Sequence, residues 1–179
     1  MIFRLEPQAL RPAPAWAFWV FLASLLLLAP DILNPAGWSF LDGVDLIFHE
    51  AGHVMFAPLG DTLMLMGGSL FQVLVPAALA GVFFWRGEGV SAAAMLLWTA
   101  QNLANVSVYI ADAQGRLLPL ITGDPDTHDW WQLLGGWGAL PQCVAIGRAV
   151  WFAGVALALL SVWVAYRGTG FGRVDRDPV

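Results

Sequence analysis

Charge is scarce in this sequence: of 179 residues only 12% are charged while 59% are hydrophobic, far from the balance of a soluble globular domain. The basic residues are scattered arginines without a run, and the net charge is −5, so no basic patch exists for a nucleic-acid partner. A single cysteine, Cys143, excludes an internal disulfide and reads as a buried apolar thiol. No repeat with a convincing period and no long low-complexity tract is present. Histidine is rare as well, with three in the whole chain.

What is abundant is uninterrupted apolar sequence. The runs 62–85, 89–111 and 149–166 are each near the length of about 20 residues that a helix needs to cross a hydrocarbon core. The run 13–30 is expected to be a retained first span; a signal peptide is the alternative, although "LAP" only loosely matches a small-residue cleavage site. The segment 40–59 reads as a further span if its acidic and histidine residues face a protein interior. The segment 130–147, weakened by glycines and Pro141, is expected to be short, re-entrant or interfacial. Counting it gives six segments, with both termini on one side together with Arg4, Arg11, Arg116, Arg167, Arg173 and Arg176, and Arg86 and Arg148 opposite. The expectation is therefore an all-α membrane protein, a polytopic helical bundle of about six membrane segments with five possible. It forms one domain over 1–166 and a flexible polar tail over 167–179. The reading is of a multi-pass protein of the cell (plasma or inner) membrane with cytoplasmic termini. Trp16, Trp19, Trp38, Trp85, Trp130 and Trp131 lie near segment ends, where indole rings anchor at the headgroup level.

Against this background "DLIFHEAGHVMF", Asp45 to Phe56, stands out, because ionisable groups inside an oily segment are costly. On a helix His49 and His53 lie one turn apart on one face, where both imidazoles can hold one zinc ion. Glu50 is then placed to act as general base and proton shuttle. Three His and three Glu in a chain of this length produce His-Glu-x-x-His by chance roughly once in a thousand chains. A catalytic zinc takes three protein ligands, so a third is required from another element. His128, in "DPDTHDWW", is the first choice; Asp126 and Asp129 in the same loop and Asp112 before it are the alternatives. The same loop also reads as a solvated acidic turn with a helix N-cap.

"FHEAGH" within a membrane segment, followed by a glycine-bearing stretch and further spans, resembles the site-2 protease family of intramembrane zinc metalloproteases. The resemblance is local and rests on His49, Glu50 and His53 with Gly52 between them. It implies an intramembrane zinc peptidase whose third ligand is an aspartate from an Asn-Pro-Asp-Gly-like motif on a later span. "NPAG" at 34–37 has Ala36 in the ligand position and precedes the histidines. "DPDT" at 124–127 is in the right order and would offer Asp126, with Asp124 and Thr127 replacing the asparagine and glycine.

Other polar residues sort by position. Asp45, four residues before His49, is a candidate to orient a ligand imidazole through its second nitrogen. Ser69 and Gln72, in "GGSLFQ", are candidates to receive an extended peptide, with small-residue helix packing as the plainer reading. Asn102 and Asn105 share a helical face and either assist an oxyanion or join helices. The expected function is hydrolysis of a membrane-embedded peptide by a zinc-activated water. A lipid amide or ester hydrolase and a non-catalytic metal-binding scaffold are the alternatives.

Overall fold

The computed structural model describes residues 9–169. Arg4, Arg173, Arg176 and most of the tail expected at 167–179 lie outside the described residues, and Arg167 itself still belongs to the last helix. Among the described residues the fold is entirely helical: α1 (Ala15–Leu33), α2 (Phe40–Phe56), α3 (Asp61–Trp85), α4 (Gly89–Asp112), α5 (Asp129–Gly136) and α6 (Cys143–Gly168). Three stretches, Ala15–Leu33, Asp61–Trp85 and Leu140–Gly168, are long and apolar enough to cross a membrane, which is compatible with a membrane protein. Their outer faces agree: Leu26 and Leu27 on α1 are 74% and 78% exposed, an arrangement that water would penalise.

Local sequence sets the helix ends. The Ser39 backbone N–H donates to the Asp42 carboxylate and so caps the start of α2. A turn at Ala57–Leu59 containing Pro58 stops that helix, and Gly60, at φ 100°, supplies a backbone conformation that a side chain would resist before α3 begins. The segment expected at 130–147 is not one helix. It divides into α5 of 8 residues, a turn at Leu140–Gln142 and the start of α6, with Gly138 at φ 67° and Pro141 at the break. Eight residues rise about 12 Å, well short of the roughly 30 Å hydrocarbon thickness.

Small residues let the helices approach. Gly147 and Gly154 of α6 lie against the Ser107 and Ala100 carbonyl oxygens of α4, and Gly168 lies against Gly89. Gly52 of α2 faces the Gly67 carbonyl of α3, and a side chain at either glycine would overlap the other helix. Ala92, Ala93, Leu97, Ala100 and Ala104 of α4 are buried, which makes α4 the central helix. Cys143 is buried in a second apolar cluster with Val106, Ile110 and Leu134.

The two ends of the described residues meet. Arg11 N–H donates to Gly87 O and Ala13 N–H to Gly168 O, so the start of α1, the α3–α4 turn and the end of α6 share one end of the bundle. This departs from strict alternation, which put Arg86 opposite the chain's ends and Arg116 beside them. The cause is α2: Trp151 Nε1–H donates to Ile32 O at the end of α1, and Asp42 and Asp45 already bond the middle of α4 through Gln101, Asn105, Trp98 and Asn102. Thus α2 starts within the depth of the bundle, level with the middle of α4. The HEAGH helix ends beside the start of α3, at the opposite end of α3 from the Arg11–Gly87 contact.

Candidate metal centre

Three helices bring the site together. The antiparallel α2–α3 contact at Gly52 and Gly67 sets His49 and His53 against the first turns of α3, and the loop after α4 returns to deliver the first residue of α5. His49 Nε2 and His53 Nε2 lie 3.2 Å and 3.3 Å from the same oxygen, Asp129 Oδ2. The ligand-type atoms of His49, Glu50 and His53 also fall within 4.8 Å of one another, a group that could hold a metal ion. His49 and Asp129 are buried, His53 is half-buried and Glu50 is exposed, so the site opens on the Glu50 side.

The other imidazole nitrogens are committed. His53 Nδ1 is 2.8 Å from the Met64 carbonyl oxygen, which can only accept, and His49 Nδ1 is 2.7 Å from Gln72 Oε1. Both Nδ1 atoms therefore carry hydrogen, and in the neutral ring each Nε2 presents a lone pair. Burial alone would raise the Asp129 carboxyl, but the His49 and His53 imidazoles outweigh it and hold the group down at about 2. That depression belongs to rings that donate from Nε2–H; with neutral rings carrying hydrogen on Nδ1, two nitrogen lone pairs would face one anionic oxygen, so the contact set requires two protons or one divalent cation. The two N···O spacings, 3.2 Å and 3.3 Å, are ones that ligand atoms around a single metal ion would take.

Gly68 supports the same reading from α3. A Cβ there would stand 2.5 Å from His49 Nε2 and 2.7 Å from His53 Nε2, in the space the two nitrogens address. The donor set and the cleared space fit a divalent metal.

His128 is elsewhere. It is fully buried, its ring stacks on Tyr109 with centroids 4.2 Å apart, and its Nδ1 accepts from Trp131 N–H, so it is the N-cap of α5. Its Nε2 points to Asp112, 3.6 Å away, and burial pushes the imidazole pKa down. Asp112 accepts from the Leu117 and Leu118 N–H groups and shapes the loop. Asp126 is exposed and ion-paired with Arg116. Of the four residues considered for the third ligand, the structure brings Asp129 alone against both imidazoles.

The remaining candidates are engaged within the bundle. Ser69 Oγ accepts from Trp130 Nε1–H, and Gln72 donates to the Asn102 and Asn105 side-chain oxygens. Asn102 and Asn105 donate in turn to Asp45 and Asp42. These four groups are all committed to partners inside the bundle, and Asp45 reaches His49 through amides, not directly.

Tyr109 belongs to the site and was not singled out from sequence. Its hydroxyl accepts from Asp129 N–H and donates to Asp129 Oδ2, both at 3.1 Å, while its ring lies edge-on to His49. The signal was present: Trp98, Asn102, Asn105, Tyr109 and Asp112 recur at intervals of three and four, which aligns them on one face of α4. Comparison with protein-family models, curated proteins and solved structures found no match.

Proposed function

We propose that this protein is a membrane-embedded zinc hydrolase, with His49, His53 and Asp129 as the metal ligands and Glu50 as the acid–base residue. The observation that carries the reading is the convergence of His49 Nε2 and His53 Nε2 on Asp129 Oδ2 within a His-Glu-x-x-His helix. Zinc, when bound, supplies carbonyl polarisation and a lowered pKa for water. Glu50 lies on the exposed side of the group, where it takes the proton of the attacking water and passes it to the departing nitrogen as the C–N bond breaks. Tyr109 holds the Asp129 oxygen, and Gln72 holds the His49 ring.

The substrate class follows from the surroundings. Exposed Val54, Met55 and Ile47 flank the motif on α2, so an amide reaching Glu50 comes from an apolar environment, and a locally unwound membrane peptide fits it best. The likeness of "FHEAGH" to site-2 proteases points the same way, and Asp129 takes the place of the aspartate that family draws from a later span. The arginine-bearing end formed by Arg11, Arg86 and Arg167 is assigned to the cytoplasm, as the positive-inside tendency requires.

The test is Glu50→Gln. The variant retains its zinc and leaves a membrane peptide intact that the wild type cleaves in proteoliposomes. Cleavage at the wild-type rate by Glu50→Gln would refute the assignment, and the same pair assayed on a lipid amide decides whether the bond is peptide or lipid.

A further inference from the structure

The buried polar groups of α2, α3 and α4 form one connected path, and its direction can be read. Asn102 Nδ2–H faces Asp45 Oδ1 at 3.0 Å and the Trp98 carbonyl at 3.1 Å, both acceptors. Asn105 Nδ2–H faces Asp42 Oδ1 at 2.9 Å. Those contacts fix both asparagine amides, leaving their oxygens toward Gln72, whose Nε2–H groups donate to Asn102 at 3.2 Å and Asn105 at 3.1 Å. Gln72 is therefore fixed too, with Oε1 turned to His49 Nδ1. Every hydrogen bond on the path points from the imidazole toward the two buried carboxylates.

We infer that Asp45 and Asp42, through Asn102, Asn105 and Gln72, form a carboxylate–amide relay that orients His49 and strengthens Nε2 as a metal donor. The inference rests on the metal reading above. A carboxylate in direct contact with a ligand imidazole is a common device; here two neutral amides stand between them. The path is buried, where aligned hydrogen bonds polarise one another more than in water. Gln72, Asn102 and Asp45 are each at most 3% exposed. In these terms Asp42, Asp45, Asn102, Asn105 and Gln72 are positioning residues, none of which touches substrate.

Asp45 offers a clean test because its Oδ2 is buried without a hydrogen-bond partner. Asp45→Asn keeps Oδ1 for Trp98 and Asn102, loses no bond made by Oδ2, removes the charge and sets an amide NH2 where Oδ2 stood. Zinc affinity of the detergent-purified protein, measured by competition with a chelator at one pH, is expected to fall about tenfold in Asp45→Asn. Asp42→Asn, which also gives up the Oδ2 bond from the Ser39 N–H, is the second variant should that protein fail to fold. Adding Gln72→Glu to Asp45→Asn gives up the two N–H bonds to Asn102 and Asn105 but places a carboxylate directly on His49, and is expected to restore affinity. Equal affinity in wild type and Asp45→Asn, or no recovery in the double variant, would overturn the relay. A wild type that binds no zinc would instead overturn the metal reading on which it stands.

Discussion

Gly68→Ala isolates the space between the imidazoles. The added Cβ would lie 2.5 Å from His49 Nε2 and 2.7 Å from both His49 Cδ2 and His53 Nε2, whereas ordinary contacts begin at about 3.5 Å. Something must yield by almost 1 Å. The α3 backbone cannot retreat freely toward other contacts without disturbing the neighbouring Gly67, which is already fitted against the Gly52 carbonyl and Phe56. The two rings are held from behind by Gln72 and Met64. Overpacking of this kind costs about 1–3 kcal/mol, and because the strain falls on both metal nitrogens it is expected to weaken metal binding by about 10 to 100-fold, at 1.4 kcal/mol per factor of ten. Gly81→Ala is the control: it lies on the same helix, a Cβ there meets nothing within 4 Å, and the protein should bind metal as the wild type does. Chelator competition gives the affinities and circular dichroism checks helix content. Wild-type affinity in Gly68→Ala would refute the claim that this space belongs to the metal.

Two other substitutions probe the supports. Tyr109→Phe removes the hydroxyl that bridges the Asp129 amide and carboxylate; metal affinity should fall about 10 to 100-fold by chelator competition, and an unchanged value would remove Tyr109 from the centre. Gly52→Val drives a branched side chain into the Gly67 carbonyl and Phe71; thermal unfolding in detergent should occur at a clearly lower temperature, by a loss of about 1–3 kcal/mol or more, and an unshifted transition would contradict the close α2–α3 contact.

Much of this organisation is legible in the residues, and the illegible part has physical causes. The apolar runs announce α1, α3 and α6, because length and hydropathy are local properties. The His-Glu-x-x-His spacing is legible for the same reason: one helix places both imidazoles on one face. The third partner is decided by the loop after α4, where His128 and Asp129 are neighbours in sequence and the turn gives their side chains different partners. His128 caps α5 and stacks on Tyr109, while Asp129 turns to the imidazoles. Counting histidines favoured the wrong-facing neighbour, since donor economy says nothing about side-chain direction. The depth of α2 was hidden too, because a 17-residue helix with three carboxylates gives no sign that it starts level with the middle of α4. Asn102 and Asn105 read from sequence as oxyanion donors or interhelical links, and their amides join α4 to α2 and α3.

Metal content of the purified protein tests the central claim most directly, with the wild type compared with Asp129→Ala and His128→Ala after identical preparation from membranes. The account predicts about one zinc per wild-type chain, near loss of the metal in Asp129→Ala, and retention in His128→Ala, whose side chain caps a helix and lies off the centre. Zinc retained in full by Asp129→Ala and lost from His128→Ala would contradict it.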